Sequence, residues 1–405
     1  MENDKLNILC VSRFFKGSEL MQAASMEGHH MYLVTSTKLK EKPWPGDSIK
    51  EIFYLEEDQQ GNWNIEHLIA GLAYQFRKIK FHIIISLDDF DVEIAALLRE
   101  YFRIPGMGDT TARYFRDKLA MRLKAKEENI PVPAFTPLFH DADLAYFTQT
   151  VPAPWLIKPR SQASATGIQK IHSAEELWSA LEKLGPDRHK YLVEKFAPGS
   201  VYHVDSLTYN GKVVFTKVSR YLDTPFEVAH GGGVFRSVTL EEGSQDDLAL
   251  RGLNEKVMQA FGMEYSASHT EFIKDNEDSQ YYFLETSSRV GGAHLSDMVE
   301  AATGINLWAE WAKIEVCSFL KKPYKLPKVE KKFGGIIVSL SRVEHPDTSS
   351  FTDKEIVWRL DKKDHIGFIV IAEKAERVRE LLDYYMHRIK DEFHASMPAP
   401  DRPTN

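Results

Sequence analysis

The segments SASHTEFI (266–273) and QYYFLETSSR (280–289) decide the fold of this chain, and the polar stretch KDNEDS (274–279) joins them. Two alternating, partly apolar runs around a polar turn are typical of a β-hairpin with a longer loop. A turn centred in the middle of the polar stretch would bring Glu271 opposite, or nearly opposite, Glu285. The sequence therefore predicts two facing carboxylates on neighbouring strands.

Side chains alternate between the two faces of a strand. Glu285, Ser287 and Arg289 therefore share a face if the second strand stays extended, and His269 and Glu271 share a face on the first strand. Facing carboxylates repel each other, and burial increases the cost. Mg²⁺ would remove the conflict, because it prefers oxygen ligands from one or two carboxylates together with substrate phosphates.

The hairpin alone leaves two interpretations open. The functional one is a metal–nucleotide site in which Arg289 faces a phosphoryl group in transfer. The structural one is a solvated hairpin face with an ordinary Glu–Arg pair. Residues elsewhere in the chain have to decide between them.

Two lysines and a glutamate precede the hairpin. Lys158 ends the apolar run WLIKP (155–159), and the loop RSQASATGI (160–168) follows with small side chains that let backbone N–H groups approach phosphate oxygens. Lys118 lies in a helical pattern, and Glu194 ends the apolar run YLVEKF, where a carboxylate can accept from an exocyclic amine. Taken singly, Lys118 and Lys158 are more typical of lysines that reach solvent.

Several common site motifs are missing from the sequence. It contains no G-x-x-x-x-G-K-[ST] loop, no HExxH and no GxSxG. The nearest approach to a dinucleotide fingerprint is GMGDTT from Gly106, which lacks the third glycine and follows a helical pattern instead of a strand. We therefore reject a P-loop or Rossmann nucleotide site.

Composition narrows the class of protein. The chain has 405 residues and a net charge of −8, which favours two or three globular domains and argues against a nucleic-acid partner. Cys10 and Cys317 have no cysteine at metal-site spacing, so we expect reduced thiols. The N-terminal residues lack a signal-peptide pattern, and no apolar run approaches about 18 residues, so we expect a cytoplasmic protein without membrane contact.

The pattern of elements predicts an α/β fold with three parts. Residues 1–104 alternate strands and helices, which indicates a parallel α/β domain. Residues 105–318 begin with a predicted helix over 111–128 and continue with antiparallel strands of α+β character. Residues 319–396 form a small C-terminal α/β extension, and residues 397–405 are predicted to be a disordered tail.

The order of the motifs resembles the ATP-grasp superfamily. The matching segments are RDKLAMR with Lys118, LIKPRSQASATGI with Lys158, LVEKFAPG with Glu194, HTEF with Glu271, and ETSSRVGG with Glu285 and Arg289. They cover about half of the chain and resemble L-amino acid (dipeptide) ligases most, with biotin carboxylase next. The resemblance makes 105–318 an ATP-grasp domain with central and nucleotide-binding lid subdomains, preceded by a pre-ATP-grasp domain.

The resemblance also implies site residues. The ATP-binding residues would be Lys118, Lys158, Ser164, Gly167, Glu194, Lys195, Phe196 and His203, with adenine read by Glu194 and the backbone of the two residues after it and His203 near the ribose. The metal ligands would be Glu271, Glu285 and, more weakly because serine replaces the usual asparagine, Ser287. Arg289 would be catalytic. The substrate-contacting residues would be His230, Arg236, Gly291, Gly292 and His294.

The implied activity is an ATP-dependent carboxylate–amine ligase that forms a C–N bond through an acyl phosphate and releases ADP and phosphate. Its substrates would be a small carboxylate and an amine, expected among amino acids, with ATP and Mg²⁺ (or Mn²⁺) as cofactors and a homodimer left open. One alternative is biotin-carboxylase-like carboxylation with a separate carrier. Another is an ATP-binding protein that is catalytically impaired, which Ser287 and the glycine-poor loop motivate.

Overall fold

The computed structural model describes residues 5–162 and 166–396. The chain begins with a parallel sheet of four strands in the order β3-β2-β1-β4. These strands are β1 (Asn7–Ser12), β2 (His30–Ser36), β3 (Ile49–Leu55) and β4 (Ile83–Ser86). The helices between them are α1 (Ser18–Met26) and α2 (Ile65–Phe76), and α3 (Val92–Phe102) follows β4. Continuous apolar strands such as β1 and β4 are buried because helices cover the sheet, as the sequence predicts.

A second, antiparallel sheet contains four short strands in the order β5-β8-β6-β7. Its elements are β5 (Phe135–Pro137), α6 (Asp141–Thr150), β6 (Trp155–Pro159), β7 (Gln169–Ile171), α7 (Ala174–Leu184) and β8 (Tyr191–Lys195). Trp155, Ile157 and Val193 pack with the apolar faces of α6 and α7 in one core. The sheet thereby fixes Lys158 and Glu194 near the ends of neighbouring strands.

The third sheet has eight strands in the order β13-β12-β9-β10-β11-β14-β16-β15. Its strands are β9 (Gly199–Tyr209), β10 (Lys212–Tyr221), β11 (Phe235–Thr239), β12 (Tyr265–Asp275), β13 (Tyr281–Ser287), β14 (Phe333–Leu340), β15 (Ile356–Arg359) and β16 (His365–Ala372). The predicted hairpin is β12–β13, and Glu271 pairs directly with Glu285. An Asn210–Gly211 turn joins β9 to β10, with both residues at positive φ (52° and 70°), as is typical of this pair in a two-residue hairpin turn.

The C-terminal strands continue this sheet instead of forming a separate layer. Strand β11 pairs with β14, and β14 then pairs with β16. The remaining helices of the described residues are α4 (Asp109–Arg113), α5 (Lys118–Glu127), α8 (Pro225–Gly231), α9 (Gln245–Ala260), α10 (Leu295–Thr303), α11 (Leu307–Leu320) and α12 (Ala375–Glu392). The domain boundaries drawn from the sequence stay predictions, and the tail at 397–405 lies outside the described residues.

The single helix predicted over 111–128 is wrong. The chain forms α4 and α5 with a break between them, because the Asp117 side chain caps α5 by accepting from the backbone N–H of Leu119 at 2.9 Å. The four-residue spacing of Phe115, Leu119 and Leu123 would place them on one face of a single helix, but Phe115 and Leu119 are buried and Leu123 is 54% exposed. The break makes Lys118 the first residue of a helix.

Two further sequence-based expectations concern membranes and thiols. Within the described ranges, no helix combines the length and apolarity needed to cross a bilayer. Cys10 and Cys317 are both free thiols, as predicted. Burial raises the pKa of the Cys10 thiol, so it stays protonated and unreactive inside the first sheet.

Candidate active site

A cavity of about 390 Å³ opens where the three sheets meet. Lys158 reaches it from β6, Lys118 from the start of α5, and Asp89 from the segment after β4. The lining residues that the sequence predicted for the site are Lys118, Lys158, Glu271, Glu285, Ser287, Arg289 and Gly292. The fold therefore collects residues more than 150 positions apart in sequence around one space.

The two facing carboxylates already have partners. The Lys118 ammonium lies 2.5 Å from Glu285. The Tyr221 hydroxyl donates to Glu271 at 2.9 Å, and His269 Nε2 lies 3.7 Å from the same carboxylate. Burial opposes ionisation of Glu271, but His269 and Tyr221 hold its pKa below the ordinary value. The repulsion between the carboxylates therefore does not by itself require a metal ion.

A buried Asp205 lies behind Glu271 and contacts two histidines. Its oxygens lie 2.8 Å from His269 Nδ1 and 2.9 Å from His203 Nδ1. Burial lowers the pKa of His269, but Asp205 and Glu271 outweigh it and raise the value to about 9. The side chains of His203, Asp205 and His269 have the ligand types of a metal site. However, each Asp205 oxygen already contacts a histidine nitrogen, and His269 is protonated at neutral pH. The cluster is therefore better described as a hydrogen-bonded support for Glu271.

His203 does not reach the cavity. The residue is fully buried, and its second nitrogen, Nε2, lies 2.7 Å from the Ser237 hydroxyl. Both ring nitrogens therefore have protein partners. The ribose contact inferred from the resemblance needs an exposed nitrogen, so we reassign His203 to the support around Asp205.

Glu194 is also more deeply buried than the adenine role requires. It is 1% exposed and forms ion pairs with Lys158 and with Arg122, whose Nη2 lies 2.9 Å away. The backbone N–H groups of Lys195 and Phe196 are taken by carbonyls of Ala134 and Pro154. The donors and the carboxylate expected to read adenine are thus engaged within the protein.

The loop after β6 is anchored at the start of α5. The backbone N–H of Lys118 donates to the Arg160 carbonyl at 2.9 Å, and its ammonium donates to the Gln162 carbonyl at 2.8 Å. Gly167 has a φ of 72°, a conformation that glycine adopts without strain. Gln162 and Thr166 line the cavity, whereas the predicted Ser164 lies outside the described residues.

Arg289 reaches across to the first domain. Its Nη2 lies 2.5 Å from Asp89 Oδ2, and its Nη1 donates to the carbonyl of Val290. Burial opposes both charges, but the ion pair holds the pKa of Asp89 below its ordinary value and that of Arg289 above it. The arginine is therefore charged and held at the cavity wall.

Of the predicted substrate residues, Gly292 lines the cavity, whereas Gly291 and His294 do not. Gly292 lines the cavity, and a Cβ there would meet nothing within 4 Å. A Cβ at Gly291 would instead lie 2.7 Å from Asp205 Oδ1, so this glycine allows the backbone to pack on the buried support. His294 occupies the N-cap position of α10, and its side chain contacts Asp297 and does not line the cavity.

The position of Arg236 does not agree with the substrate contact that the sequence suggested. Its guanidinium donates to Asp223 at 2.8 Å and to Asp383 on α12 at 2.6 Å, and it does not line the cavity. It therefore joins the C-terminal helix to the segment before α8 and has no donors directed at a substrate. His230 lies in α8, but its side chain is outside what the structure describes.

Comparison with known proteins now identifies the architecture. An L-amino acid ligase from Bacillus licheniformis superposes with a TM-score of 0.74 and 16% sequence identity, covering 96% of this chain and 98% of that one. The chain has the ATP-grasp fold. The resemblance drawn from the sequence is confirmed for the fold, including the parallel N-terminal sheet and the antiparallel sheets.

Other ATP-grasp proteins agree. The biotin carboxylase domain of 2-oxoglutarate carboxylase from Hydrogenobacter thermophilus, solved with MgADP and bicarbonate, superposes with a TM-score of 0.70 at 16% identity, covering 96% of this chain and 90% of that one. In sequence, the L-arginine-specific L-amino acid ligase of Bacillus subtilis is 28% identical over 256 residues, which covers 62% of this chain and 61% of that protein. The match thus spans less than two thirds of that ligase, and no protein-family profile matches the chain.

Several side chains of this ATP-grasp site were not singled out by sequence reasoning. Asp89 and Arg116 line the cavity. Arg122 forms an ion pair with Glu194, and Tyr221 donates a hydrogen bond to Glu271. Asp89 had a detectable signal, because the run DDFD follows a parallel strand and ligands bind at the carboxyl ends of such strands. The others lie in helical or strand patterns that look ordinary until the sheets are assembled.

Proposed function

We propose that this protein is an ATP-dependent carboxylate–amine ligase that acts on amino acids. The observation that carries the proposal is the meeting of Lys118, Lys158, Glu271, Glu285 and Arg289 at one cavity in an ATP-grasp fold. Similarity to two L-amino acid ligases, one in sequence and one in structure, supports amino acids as substrates.

The charges fit a nucleotide triphosphate. Lys118 and Lys158 carry positive charge to the cavity wall, and Gln162 and Thr166 bring the ends of the loop after β6 to the same wall. Triphosphate oxygens would take over the contacts that Lys118 now makes with Glu285 and that Lys158 makes with Glu194. Both lysines lie in ion pairs, so their positions are fixed before the nucleotide binds, which lowers the entropy lost on binding.

The donors also fit a divalent metal. Glu271 and Glu285 are directly paired across the hairpin, and their oxygens are the ligand type that Mg²⁺ prefers. Ser287 lines the same cavity and offers a hydroxyl oxygen. Mg²⁺ bound there would neutralise charge on the phosphates. Release of Lys118 from Glu285 would free that carboxylate for the ion.

The reaction would proceed in two steps. A substrate carboxylate oxygen attacks the γ-phosphorus of ATP, the bond to the β-phosphate oxygen breaks, and ADP leaves. The amine nitrogen of the second substrate then attacks the acyl carbon, loses a proton and displaces inorganic phosphate. Arg289 is held by Asp89 where its charge can stabilise the phosphoryl group and the tetrahedral intermediate.

The proposal also includes the metal ion, the location, the size of the substrates and the oligomeric state. We propose Mg²⁺ as the physiological ion with Mn²⁺ as a substitute, a cytoplasmic location, and substrates that are small molecules. A homodimer is a further expectation, which sedimentation of the purified protein would test. None of these points alters the roles given to the five charged residues.

A second candidate is carboxylation of a biotin carrier, because a biotin carboxylase domain shares the fold at a TM-score of 0.70. It predicts bicarbonate-dependent ADP release that biotin stimulates. A third candidate is nucleotide binding without turnover, which Ser287 motivates because a hydroxyl is a weak metal ligand. It predicts ATP binding but no ADP release with any substrate pair.

The deciding experiment screens amino acids in pairs for phosphate release with ATP and Mg²⁺, followed by mass spectrometry of the product. The proposal expects release of ADP and phosphate that needs both an amino acid and Mg²⁺, with a product lighter by one water than the two substrates together. AMP and pyrophosphate as products would contradict the acyl-phosphate route. Release that requires bicarbonate and biotin would favour the second candidate.

A further inference from the structure

Within the described part of the chain, three buried polar atoms beside the cavity have no hydrogen-bond partner. They are Asp89 Oδ1, Arg289 Nε and Gln162 Oε1, and all three residues line the cavity. A buried donor or acceptor without a partner loses its hydration and gains nothing in return, at a cost of about 1–3 kcal/mol. Such an atom in a native protein calls for an explanation, and at a cavity wall a bound ligand can supply the missing partner.

The neighbours of Asp89 show that its free oxygen is unusual. Asp88 uses one oxygen for Lys16 and the other for the backbone N–H of Phe90. Asp91 uses one for Arg13 Nε and the other for the Arg13 backbone N–H. Asp89 is buried like the other two, yet among the described residues only its Oδ2 has a partner, Arg289. Of the three carboxylates, only Asp89 lines the cavity.

The unpaired atoms have complementary chemistry. Asp89 Oδ1 lacks a donor, and a cationic N–H group would suit the carboxylate charge best. Arg289 lacks an acceptor, and a carboxylate oxygen would suit it. Because Asp89 and Arg289 touch each other, one small ligand can reach both only if its cation and its carboxylate are close together. An α-amino acid has this form, since a single carbon separates its ammonium and carboxylate groups.

We propose that Asp89 binds the α-ammonium group of the amino acid whose carboxylate is activated beside Arg289. The inference rests on the proposed ligase function and narrows its carboxylate substrate to α-amino acids. A zwitterion adds no net charge to the Asp89–Arg289 pair. A simple carboxylic acid would bring a second negative charge next to Asp89 and leave its oxygen without a donor.

The test compares L-amino acids with the same molecules lacking the α-amino group, for example L-alanine with propionate. Calorimetric titration in the presence of ADP and Mg²⁺ measures their binding, and ADP release with hydroxylamine as the amine measures turnover. We expect wild-type protein to bind the amino acid about 10- to 100-fold more tightly than its analogue. In Asp89→Asn this preference should disappear, because binding of the amino acid weakens far more than binding of its des-amino analogue.

Asp88→Asn is the matched control, because it removes the same charge one residue away from a carboxylate that does not line the cavity. Its preference for the amino acid should equal that of the wild type. Thermal unfolding of each variant checks the fold, and Asp89→Glu, which keeps the charge, should retain part of the preference. A variant Asp89→Asn that loses binding and kcat equally for both compounds would mean that Asp89 only positions Arg289, and would overturn the proposal.

The calorimetric binding measurement tests this inference separately from the proposed function. Wild-type protein that binds none of the common L-amino acids better than its des-amino analogue overturns the ammonium subsite, whatever reaction the protein catalyses. Protein that shows the preference but releases no ADP retains the subsite and contradicts the ligase. Unchanged amino acid preference in Asp89→Asn rejects the subsite while leaving the ligase intact.

Discussion

At the scale of single residues, the charged side chains of this site each serve two partners. Lys118 joins Glu285 to the loop carbonyl of Gln162. Arg122 joins Glu194 to the backbone carbonyl of Leu284. Removing one member of such a buried set leaves the others without compensation, which is far more costly than the loss of a surface ion pair.

Glu194→Gln tests the cost of removing one charge from the buried ion pairs of Glu194. The change leaves Arg122 and Lys158 with an uncharged partner in a fully buried setting, so we expect a loss of about 3–5 kcal/mol in the free energy of unfolding at neutral pH. Urea denaturation measures it. Glu182→Gln, on the exposed side of α7, should change stability by less than about 0.5 kcal/mol.

The same variant predicts a pH dependence. Burial raises the pKa of Glu194, but Arg122 and Lys158 outweigh burial and keep it below the ordinary value. The folded state therefore gains stability from this carboxylate above the unfolded-state pKa of about 4.3, and loses it as the pH falls through the folded-state pKa. The stability difference between wild type and Glu194→Gln should be largest near pH 7 and shrink below about pH 4. A difference that grows on acidification would contradict the ion pairing.

Glu285→Gln tests the metal assignment. Loss of one of two facing carboxylates should lower turnover by about 10²–10³-fold and raise the Mg²⁺ concentration needed for half-maximal rate. Steady-state ADP release at varied Mg²⁺ measures both. Asp278→Asn, at the exposed turn of the same hairpin, should behave like wild type. Near-normal Mg²⁺ dependence in Glu285→Gln would rule the residue out as a ligand.

At the scale of elements, the sequence predicted those segments whose pattern is strong over their whole length. The β12–β13 hairpin, its Glu271–Glu285 pairing and the final helix follow from alternation and periodicity. The break between α4 and α5 was not predicted, because Asp117 acts as a cap only where the chain must turn toward the loop after β6. The burial of Glu194 and His203 escaped prediction for a related reason, since their partners come from other sheets and helices.

Gly291→Ala tests the packing of the segment after β13 against the Asp205 support. A Cβ there would lie 2.7 Å from Asp205 Oδ1 and 2.9 Å from His269 Nδ1, so buried polar atoms must shift. We expect a loss of about 1–3 kcal/mol in stability, measured by thermal or urea unfolding. Gly292→Ala is the matched control, because nothing lies within 4 Å of its added Cβ. Equal stability of the two variants would show that Gly291 does not pack as described.

At the scale of the whole molecule, one sheet joins the hairpin of the active site to the C-terminal strands. The sequence pointed to a small C-terminal α/β extension, but local patterns do not show that β14 pairs with β11. Helix α12 covers this end of the sheet, where Leu382 and Tyr385 are fully buried. Continuous backbone pairing makes the extension and the active-site strands one structural unit.

Leu382→Ala should therefore weaken the sheet as a unit. Removing this buried side chain should cost about 2–5 kcal/mol and lower the midpoint of one shared transition, followed both by Trp358 fluorescence on β15 and by nucleotide binding. Tyr384→Ala, two residues along the same helix and 53% exposed, should change stability little. Two separate transitions in Leu382→Ala would show that the extension unfolds on its own.

The strand that carries Glu285 is also the outermost strand of that sheet, since β13 has only β12 beside it. An open strand edge invites pairing with another copy of the chain. Here the backbone N–H of Phe283 donates to the Pro131 carbonyl at 2.8 Å, and Arg122 donates to the Leu284 carbonyl. The arginine that neutralises Glu194 thus also shields the strand that carries Glu285 from self-association. Loss of Arg122 should consequently appear first as light scattering and poor solubility, before any change in kinetics can be measured.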